Sequence, residues 1–224
     1  ADFSVTGEAF DMPAGPIAVA AGAEYRRISA KTVADPGSNA GIYRLVNQQD
    51  FEGRYNITEF FAEAQFPLLK DIRLVESLDL NLAARHTNYS TSGGVNTWKA
   101  GINWQVGGGL RLRGTYSRDI RAPNLTDLFA TGRQNNITIV DELTGKTFLS
   151  VPNRTFGNIA LKPEIAKTTV IGLTYQPNWA PNLRFAVDHW RVNIDGAIGN
   201  VGGQNAVTQC NLSGGRSAVC AFVQ

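Results

Sequence analysis

Alternation of apolar and polar side chains over segments of about ten residues is the feature that most constrains this fold. Neighbouring residues of a strand point to opposite faces, so this period predicts strands with one apolar and one polar face. About ten residues is also the length that a tilted strand needs to cross a bilayer. The predicted strands are residues 3–6, 17–27, 55–66, 77–89, 96–106, 110–118, 166–176 and 183–193.

The alternation divides the side chains of the middle strands into two groups. The apolar group, expected to face lipid, contains Leu78, Leu80, Leu82, Trp98, Ile102, Trp104, Leu110 and Leu112. The polar group, expected to face a lumen, contains Asp79, Arg85, Lys99, Arg111 and Arg113. A soluble sandwich would show the same alternation, so the period by itself leaves both classes of all-β protein open.

Two further patterns favour a membrane barrel. Short links at 11–16, 67–75, 106–109 and 177–182 alternate with long links at 28–54, 119–165 and from 195 onwards. The link 91–95 is short, although counting strands places it on the side of the long links. Aromatic residues also stand near the strand ends, as in the girdles of outer-membrane barrels: Tyr25, Phe66, Trp98, Trp104, Tyr116, Tyr175 and Trp190. The predicted fold is an all-β, antiparallel up-and-down meander that forms part of a transmembrane β-barrel.

Composition and charge narrow the class of protein. The chain has 224 residues and a formal net charge of +2, without a dense Lys/Arg block, which argues against a nucleic-acid partner. The sequence contains no run of about 18 apolar residues, so no transmembrane helix is predicted. The first residues, ADFSVTGEAF, do not resemble a signal peptide. The chain is therefore expected to be cytoplasmic or to begin inside a larger precursor.

Three groups of motifs carry a family resemblance. They are Tyr116-Ser117-Arg118 with Arg121-Ala122-Pro123-Asn124-Leu125 and Asp127-Leu128-Phe129, Gly157-Asn158 with Leu161-Lys162-Pro163-Glu164, and Phe10 with Pro13-Ala14-Gly15-Pro16. In order and spacing they resemble the barrel region of TonB-dependent receptors. The resemblance implies a barrel of 22 strands, an N-terminal plug and energy supplied through TonB. Residues 1–224 are then expected to be a partial barrel domain, without plug, signal peptide or terminal strands.

The motif around Pro123 also has a physical interpretation. Proline cannot donate to a strand ladder, so the strand is expected to leave the sheet there. Arg118 and Arg121 would stand at its end and pair with Asp127 or Glu164. A structural role is expected for this corner, which comprises Arg118, Arg121, Pro123, Asn124, Asp127, Pro163 and Glu164.

The sequence offers no convincing enzyme chemistry, and no cofactor or metal is expected. His86 and His189 are isolated, without partners at the spacing of metal ligands. Glu59 and Glu63 share a strand face with Gln65, on which neighbours two residues apart stand about 7 Å from each other. A row of lumen charges suits this pattern better than a glycosidase pair. No helix, lysine or serine follows the glycines at 107–109 as a phosphate loop requires.

The basic residues of the polar face are candidates for ligand binding. Arg85, Lys99, Arg111 and Arg113 would favour an anionic cargo such as a ferric chelate if they line a lumen. Pairing of these residues with carboxylates of a plug or of neighbouring strands, such as Asp79, Glu59 or Glu63, is the alternative.

Cys210 and Cys220 stand in a stretch rich in Gly, Ser and Asn near the end of the chain. An oxidising compartment would allow them to close a small loop and pre-shape it for binding. Two unpaired thiols in a disordered tail are the alternative, since spacing alone does not decide between these states.

Three functions follow as hypotheses. The first is energised uptake of a scarce nutrient, such as a metal chelate or an oligosaccharide, across the outer membrane of a Gram-negative bacterium. Its partners would be outer-membrane lipid, the nutrient, and the TonB complex through the plug. The others are a soluble all-β binding or structural module and a hydrolytic outer-membrane barrel, for which the catalytic triad is missing.

Overall fold

A computed structural model describes residues 1–223, most of which lie in strands. The strands are β1 (Asp2–Met12), β2 (Gly15–Thr32), β3 (Val46–Asn47), β4 (Phe51–Ile72), β5 (Val75–Tyr89), β6 (Gly93–Gly107), β7 (Leu110–Arg121), β8 (Thr131–Asp141), β9 (Lys146–Phe156), β10 (Glu164–Tyr175) and β11 (Phe185–Asp195). The helices are α1 (Pro36–Asn39), α2 (Leu125–Phe129), α3 (Gly203–Leu212) and a 3₁₀ helix at Ala218–Phe222. Every helix in the described part of the chain is too short or too polar to cross a membrane.

Eight strands form one sheet in the order β1-β2-β4-β5-β6-β7-β10-β11. This is the order of the chain once β3, β8 and β9, which form a separate three-stranded sheet, are set aside. All eight predicted strands are present, and the predicted antiparallel meander is confirmed. Within residues 1–223 the sheet is open, with β1 and β11 at its edges.

The strand register confirms how side chains are grouped on the two faces. Leu80 lies opposite Ile102, and both belong to the apolar face. Asp79 lies opposite Asn103, which in turn lies opposite Arg113, so these three share the polar face. Directly opposed residues of antiparallel strands point to the same side, and the alternation therefore predicted the faces correctly here.

Trp190 is an exception to the predicted aromatic girdle. It lies opposite Val170, which lies opposite Thr115 on the polar face. The prediction that grouped Trp190 with the girdle residues is therefore wrong. Its position near a strand end suggested a girdle, but the register of β11 places its side chain on the other side of the sheet.

The turn between β6 and β7 depends on glycine. Gly108 and Gly109 have φ angles of 63° and 84°, in the left-handed region that other residues rarely adopt. A Cβ atom on Gly109 would also lie 1.8 Å from the carbonyl oxygen of Gln176. The glycines at 107–109 therefore form a tight hairpin next to the end of β10.

The chain forms two compact units. The sheet unit comprises residues 1–28, 55–122 and 162–197, and the link unit comprises 29–54, 123–161 and the residues from Ile198 onwards. The link unit coincides almost completely with the three long links of the sequence. The expectation that these links are loops is incomplete, because they contain β3, β8, β9 and all the helices. The β8–β9 hairpin and β3 pair through backbone ladders, and the short helices are held by side-chain contacts, which have no simple period.

Few large apolar side chains are buried. Tyr55 and Ile57 are the buried ones that the structure describes in the sheet unit, and Leu128 and Ile139 are those in the link unit. By contrast, Val187 on the apolar face of β11 is 68% exposed. Within residues 1–223 nothing covers the apolar face of the sheet, as expected for a surface that meets lipid.

Candidate functional site

An ion pair on the polar face joins β7 to β11 across the strand between them. Arg113 Nη2 donates to both carboxylate oxygens of Asp188, at 2.7 Å each, and Nε donates to Oδ1 at 3.1 Å. Gly172 of β10 lies opposite both residues. A Cβ atom at position 172 would stand 2.1 Å from Asp188 Oδ1, so the missing side chain provides the space for the ion pair.

A second cluster on this face surrounds Glu59, which is only 5% exposed. Its carboxylate accepts hydrogen bonds from Thr87 Oγ1 at 2.8 Å and from Arg26 Nη2 at 3.1 Å. Arg85 Nη1 lies 3.9 Å from the same carboxylate, and its guanidinium stands 5.4 Å from the ring centre of Phe61. A buried carboxylate requires such partners, because desolvation without them is costly.

The four basic residues predicted to bind a ligand all belong to the polar face. Arg85 and Arg113 are paired with carboxylates, and Arg111 Nε donates to Asn103 Oδ1 at 2.6 Å. Lys99 has no ion pair within residues 1–223. Three of the four basic side chains thus already have partners within the sheet. Binding of an anionic ligand by these residues stays a prediction.

The corner around Pro123 is built much as its sequence suggests. Strand β7 ends at Arg121, whose Nη1 lies 2.6 Å from Glu164 Oε1 at the start of β10. Strand β10 thus begins at Glu164, directly after Pro163, rather than at Ala166. Asn124 and Asp127 cap α2 reciprocally, each side chain accepting from the backbone N–H of the other.

Arg118 behaves differently from Arg121, and its predicted pairing with Asp127 or Glu164 is wrong. It lies opposite Trp98 on the apolar face and donates from Nη1 to the carbonyl oxygen of Asn96. The physical reason is the strand period. Residues three apart point to opposite faces, so Arg118 and Arg121 do not share a neighbourhood.

In the link unit, the segment around α1 is held by its own side chains. Asp35 caps α1 by accepting from the Ser38 N–H at 3.0 Å, and Tyr43 Oη donates to the same oxygen at 3.0 Å. Hydrogen bonds from Ser38 lower the pKa of Asp35 from 3.8 to about 2. The Asn47 amide, which is 1% exposed, bonds both backbone groups of Tyr43.

Helix α3 is attached to β8 through one row of polar side chains. The Gln204 amide bonds both backbone groups of Val140, accepting at 2.8 Å and donating at 2.9 Å. Asn211 donates to Asp141 at 2.9 Å and Thr208 donates to Glu142 at 3.2 Å. Residues four and seven positions apart share a helix face, which explains the row.

Cys210 at the end of α3 and Cys220 in the 3₁₀ helix form a disulfide, with their Cα atoms 5.0 Å apart. Of the two states left open by the sequence, the structure contains the bridged one. The bridge connects the last turn of α3 to the final described segment of the chain.

An open groove of about 1670 Å³ lies within the link unit, between the β8–β9 hairpin and the segment from Ile198 onwards. Its lining mixes apolar and polar side chains, among them Ile137, Phe148, Phe156, Arg154, Val207 and Phe222. Typical small-molecule pockets measure about 300–1,000 Å³, so this groove is suited to a larger ligand. Residues 1–223 contain no group of three or more His, Cys, Asp or Glu side chains placed to hold a metal.

The comparison with known families agrees with this fold, in both the sheet unit and the link unit. A family model described as "TonB dependent receptor-like, beta-barrel" matches residues 1–221. The chain belongs to this family. TonB-dependent receptors are outer-membrane transporters of Gram-negative bacteria rather than enzymes. No curated protein matched the sequence.

Solved structures of siderophore receptors share this fold. The siderophore receptor PirA from Acinetobacter baumannii has 17% sequence identity and a TM-score of 0.61, over 87% of this chain and 26% of that receptor. The Q482A mutant of the ferric enterobactin receptor PfeA from Pseudomonas aeruginosa, solved with enterobactin, has 16% identity and a TM-score of 0.62 over the same shares. The chain thus spans about a quarter of the length of these receptors.

Proposed function

We propose that this barrel region belongs to an outer-membrane receptor that binds a large nutrient on the cell surface and imports it with energy from TonB. The groove of about 1670 Å³ in the link unit carries the proposal. The long connections of outer-membrane barrels are extracellular, so a groove built from them is open to ligands outside the cell.

The chemistry of the groove indicates which ligands to test first. Its charged lining residues are Asp127, Asp141 and Arg154, two carboxylates and one guanidinium, so the lining has only a small negative net charge. Aromatic and branched side chains share the lining with amides and hydroxyls, so shape and mixed contacts are expected to outweigh net charge in recognition. A ferric siderophore is the first candidate, and an oligosaccharide is the second. We propose no catalytic role.

Uptake can be tested in a strain that lacks the chromosomal receptor and carries the complete receptor on a plasmid. Radioactive iron is supplied as hydroxamate, catecholate or mixed chelates, and cell-associated iron is measured over time. We expect uptake of one chelate class, and its loss in a strain without TonB. Iron uptake that continues without TonB would contradict the energised mechanism. Uptake of labelled oligosaccharide, without uptake of any chelate, would replace the siderophore by a sugar.

A matched pair of variants tests the groove itself. Phe148 lines it, whereas the adjacent Leu149 is 76% exposed and does not. We expect Phe148→Ala to weaken ligand binding by the complete receptor by about tenfold, and Leu149→Ala to have little effect, since a ligand in the groove would cover the aromatic side chain that lines it and would not contact Leu149. Equal affinities of both variants and the unmodified receptor would exclude the groove as the binding site.

A further inference from the structure

Two neighbouring arginines on the polar face of β7 have different surroundings. Arg113 reaches across β10 to the carboxylate of Asp188 on β11. Arg111 stands two residues nearer to the short turns, and the corresponding position of β11 in that row is Ala186. A methyl group cannot pair with a guanidinium. The row of Arg111 therefore lacks the counter-charge that the row of Arg113 contains.

A cavity of about 270 Å³ lies beside Arg111, at the end of the sheet where the short turns are. Arg184, which directly precedes β11, lines the same cavity, together with Gln105, Thr174 and Asn178. The described lining contains no Asp or Glu, and neither arginine forms an ion pair within residues 1–223. The cavity thus has two positive charges and no negative one.

The carboxylates of the next row along the polar face do not neutralise these arginines. Asp188 binds Arg113, and Asp79 lies on β5, two strands away from β7. Arg111 Nε donates instead to the amide oxygen of Asn103, at 2.6 Å. A guanidinium has five N–H donors, so most of those of Arg111 remain available for a ligand.

The turns around the cavity hold it in shape. The backbone N–H of Gln176 donates to the carbonyl oxygen of Gly109 at 2.9 Å, and its side-chain amide donates to the carbonyl oxygen of Pro181 at 2.6 Å. The N–H of Ala180 donates to the carbonyl oxygen of Pro177 at 3.0 Å. Proline also fixes the φ angle at two positions of this turn. A site that is ordered before binding lowers the entropy cost of holding a ligand.

The size and charge of the cavity indicate a small anion. Its volume lies below the range of about 300–1,000 Å³ that is typical of small-molecule pockets. A phosphate monoester carries a charge of about −1.5 to −2 at pH 7, which matches two guanidinium groups. Its oxygens point to several sides, so Arg111 and Arg184 can bind different edges, and the Thr174 hydroxyl can donate as well. A carboxylate offers a single charge and two oxygens.

We propose that Arg111 and Arg184 form a binding site for a phosphate group, either as the free ion or as the monoester of a small molecule. The bound phosphate would join β7 to the start of β11, as the ion pair with Asp188 does in the next row. The short turns of outer-membrane barrels are periplasmic, so the ligand would come from that compartment. The inference does not depend on which nutrient is imported.

The test uses the complete receptor, purified in a mild detergent in a chloride buffer of constant ionic strength. Isothermal titration calorimetry measures the binding of inorganic phosphate, glycerol phosphate and acetate. We expect saturable binding of the phosphate group and no binding of acetate. Binding of inorganic phosphate would support the free ion as the ligand, and binding of the ester alone would support a phosphorylated small molecule.

Variants locate the binding in the cavity. Arg111→Gln and Arg184→Gln should each weaken phosphate binding by about tenfold, and together by about 100-fold, because each removes charge-assisted hydrogen bonds. Arg73 provides the matched control, since it is exposed in the turn between β4 and β5 at the same end of the sheet and does not line the cavity. Arg73→Gln removes the same charge and should leave phosphate binding unchanged.

Two kinds of result would overturn the proposal. The first is obtained with the unmodified receptor, so it does not depend on assembly of a variant: no binding of either phosphate ligand, or binding of acetate as tight as that of phosphate. The second is an unchanged phosphate affinity in the assembled double variant. Uptake of labelled nutrient, measured in parallel, distinguishes either failure from a failure of the proposed transport function.

Discussion

The sheet unit and the link unit achieve their order in different ways. In the sheet unit, long antiparallel ladders fix the backbone, and the side chains on the apolar face remain exposed within the described chain. In the link unit, individual side chains such as Asp35, Asn47 and Gln204 fix short segments. The first unit thus depends on its surroundings, whereas the second depends on a small three-stranded sheet, particular side-chain hydrogen bonds and one disulfide.

The largest expected effect tests the dependence of the sheet on lipid. Leu80→Arg on the apolar face should cost about 2–4 kcal/mol of folding free energy near the middle of the bilayer. The neighbouring Asn81→Arg, on the polar face, should cost much less. Reversible unfolding of the complete receptor in lipid vesicles with denaturant measures both. Similar costs for the two variants would remove the distinction between the faces.

The disulfide is the next test, and it concerns the link unit. Cys210→Ser with Cys220→Ser opens a loop with a sequence separation of 10 residues. The lost constraint on the unfolded chain should cost about 2–3 kcal/mol. Hydrogen exchange should then become faster in α3 and remain unchanged in β5. If exchange in α3 kept its rate, the bridge would not be needed to order this segment, and unchanged ligand affinity would exclude a pre-shaped binding loop.

A smaller effect is expected from Gln204, whose amide bonds the backbone of Val140 twice. Gln204→Ala should destabilise the attachment of α3 to β8 by about 1–2 kcal/mol, because two hydrogen bonds are lost. Gln209→Ala provides a control on the same helix, at an exposed position. Proteolysis of the complete receptor at low protease concentration should cut the Gln204 variant faster within α3. Equal cutting of the two variants would mean that α3 is held in another way.

The smallest effect concerns pH and the segment around α1. The folded pKa of Asp35 is about 2, below its ordinary value of 3.8. A lowered carboxylate pKa contributes stability above the ordinary value and loses it as the pH falls through the folded value. The protection of the Ser38 amide against hydrogen exchange, taken relative to the intrinsic rate at each pH, should therefore fall between about pH 4 and pH 2, and Asp35→Asn should abolish this fall. An identical pH profile in the variant would assign the effect to another group.

The same contrast explains what could be predicted from the sequence. Strands such as 77–89 were predictable because two environments impose a period of two residues. The side of Trp190 and the partner of Arg118 were predicted wrongly because both were inferred from proximity to a strand end, which says nothing about the face; the two-residue period separates Arg118 from Arg121. The contacts of Glu59 with Arg26 and of Gln204 with Val140 join distant parts of the chain. Two local signals in the long links could have identified helices: the capping box of Asn124 and Asp127 at α2, and Asp35 followed by Pro36 at α1.

Gly172 has a consequence for how the sheet assembles. A strand that slips by two residues keeps its apolar side on the correct face, so alternation alone does not penalise this error. Such a slip of β10 would place Val170 or Thr174 beneath the ion pair of Arg113 and Asp188. Their side chains would occupy the space that the glycine leaves empty. The ion pair can therefore form in only one alignment of β7, β10 and β11. It favours the correct register of these strands when the sheet assembles.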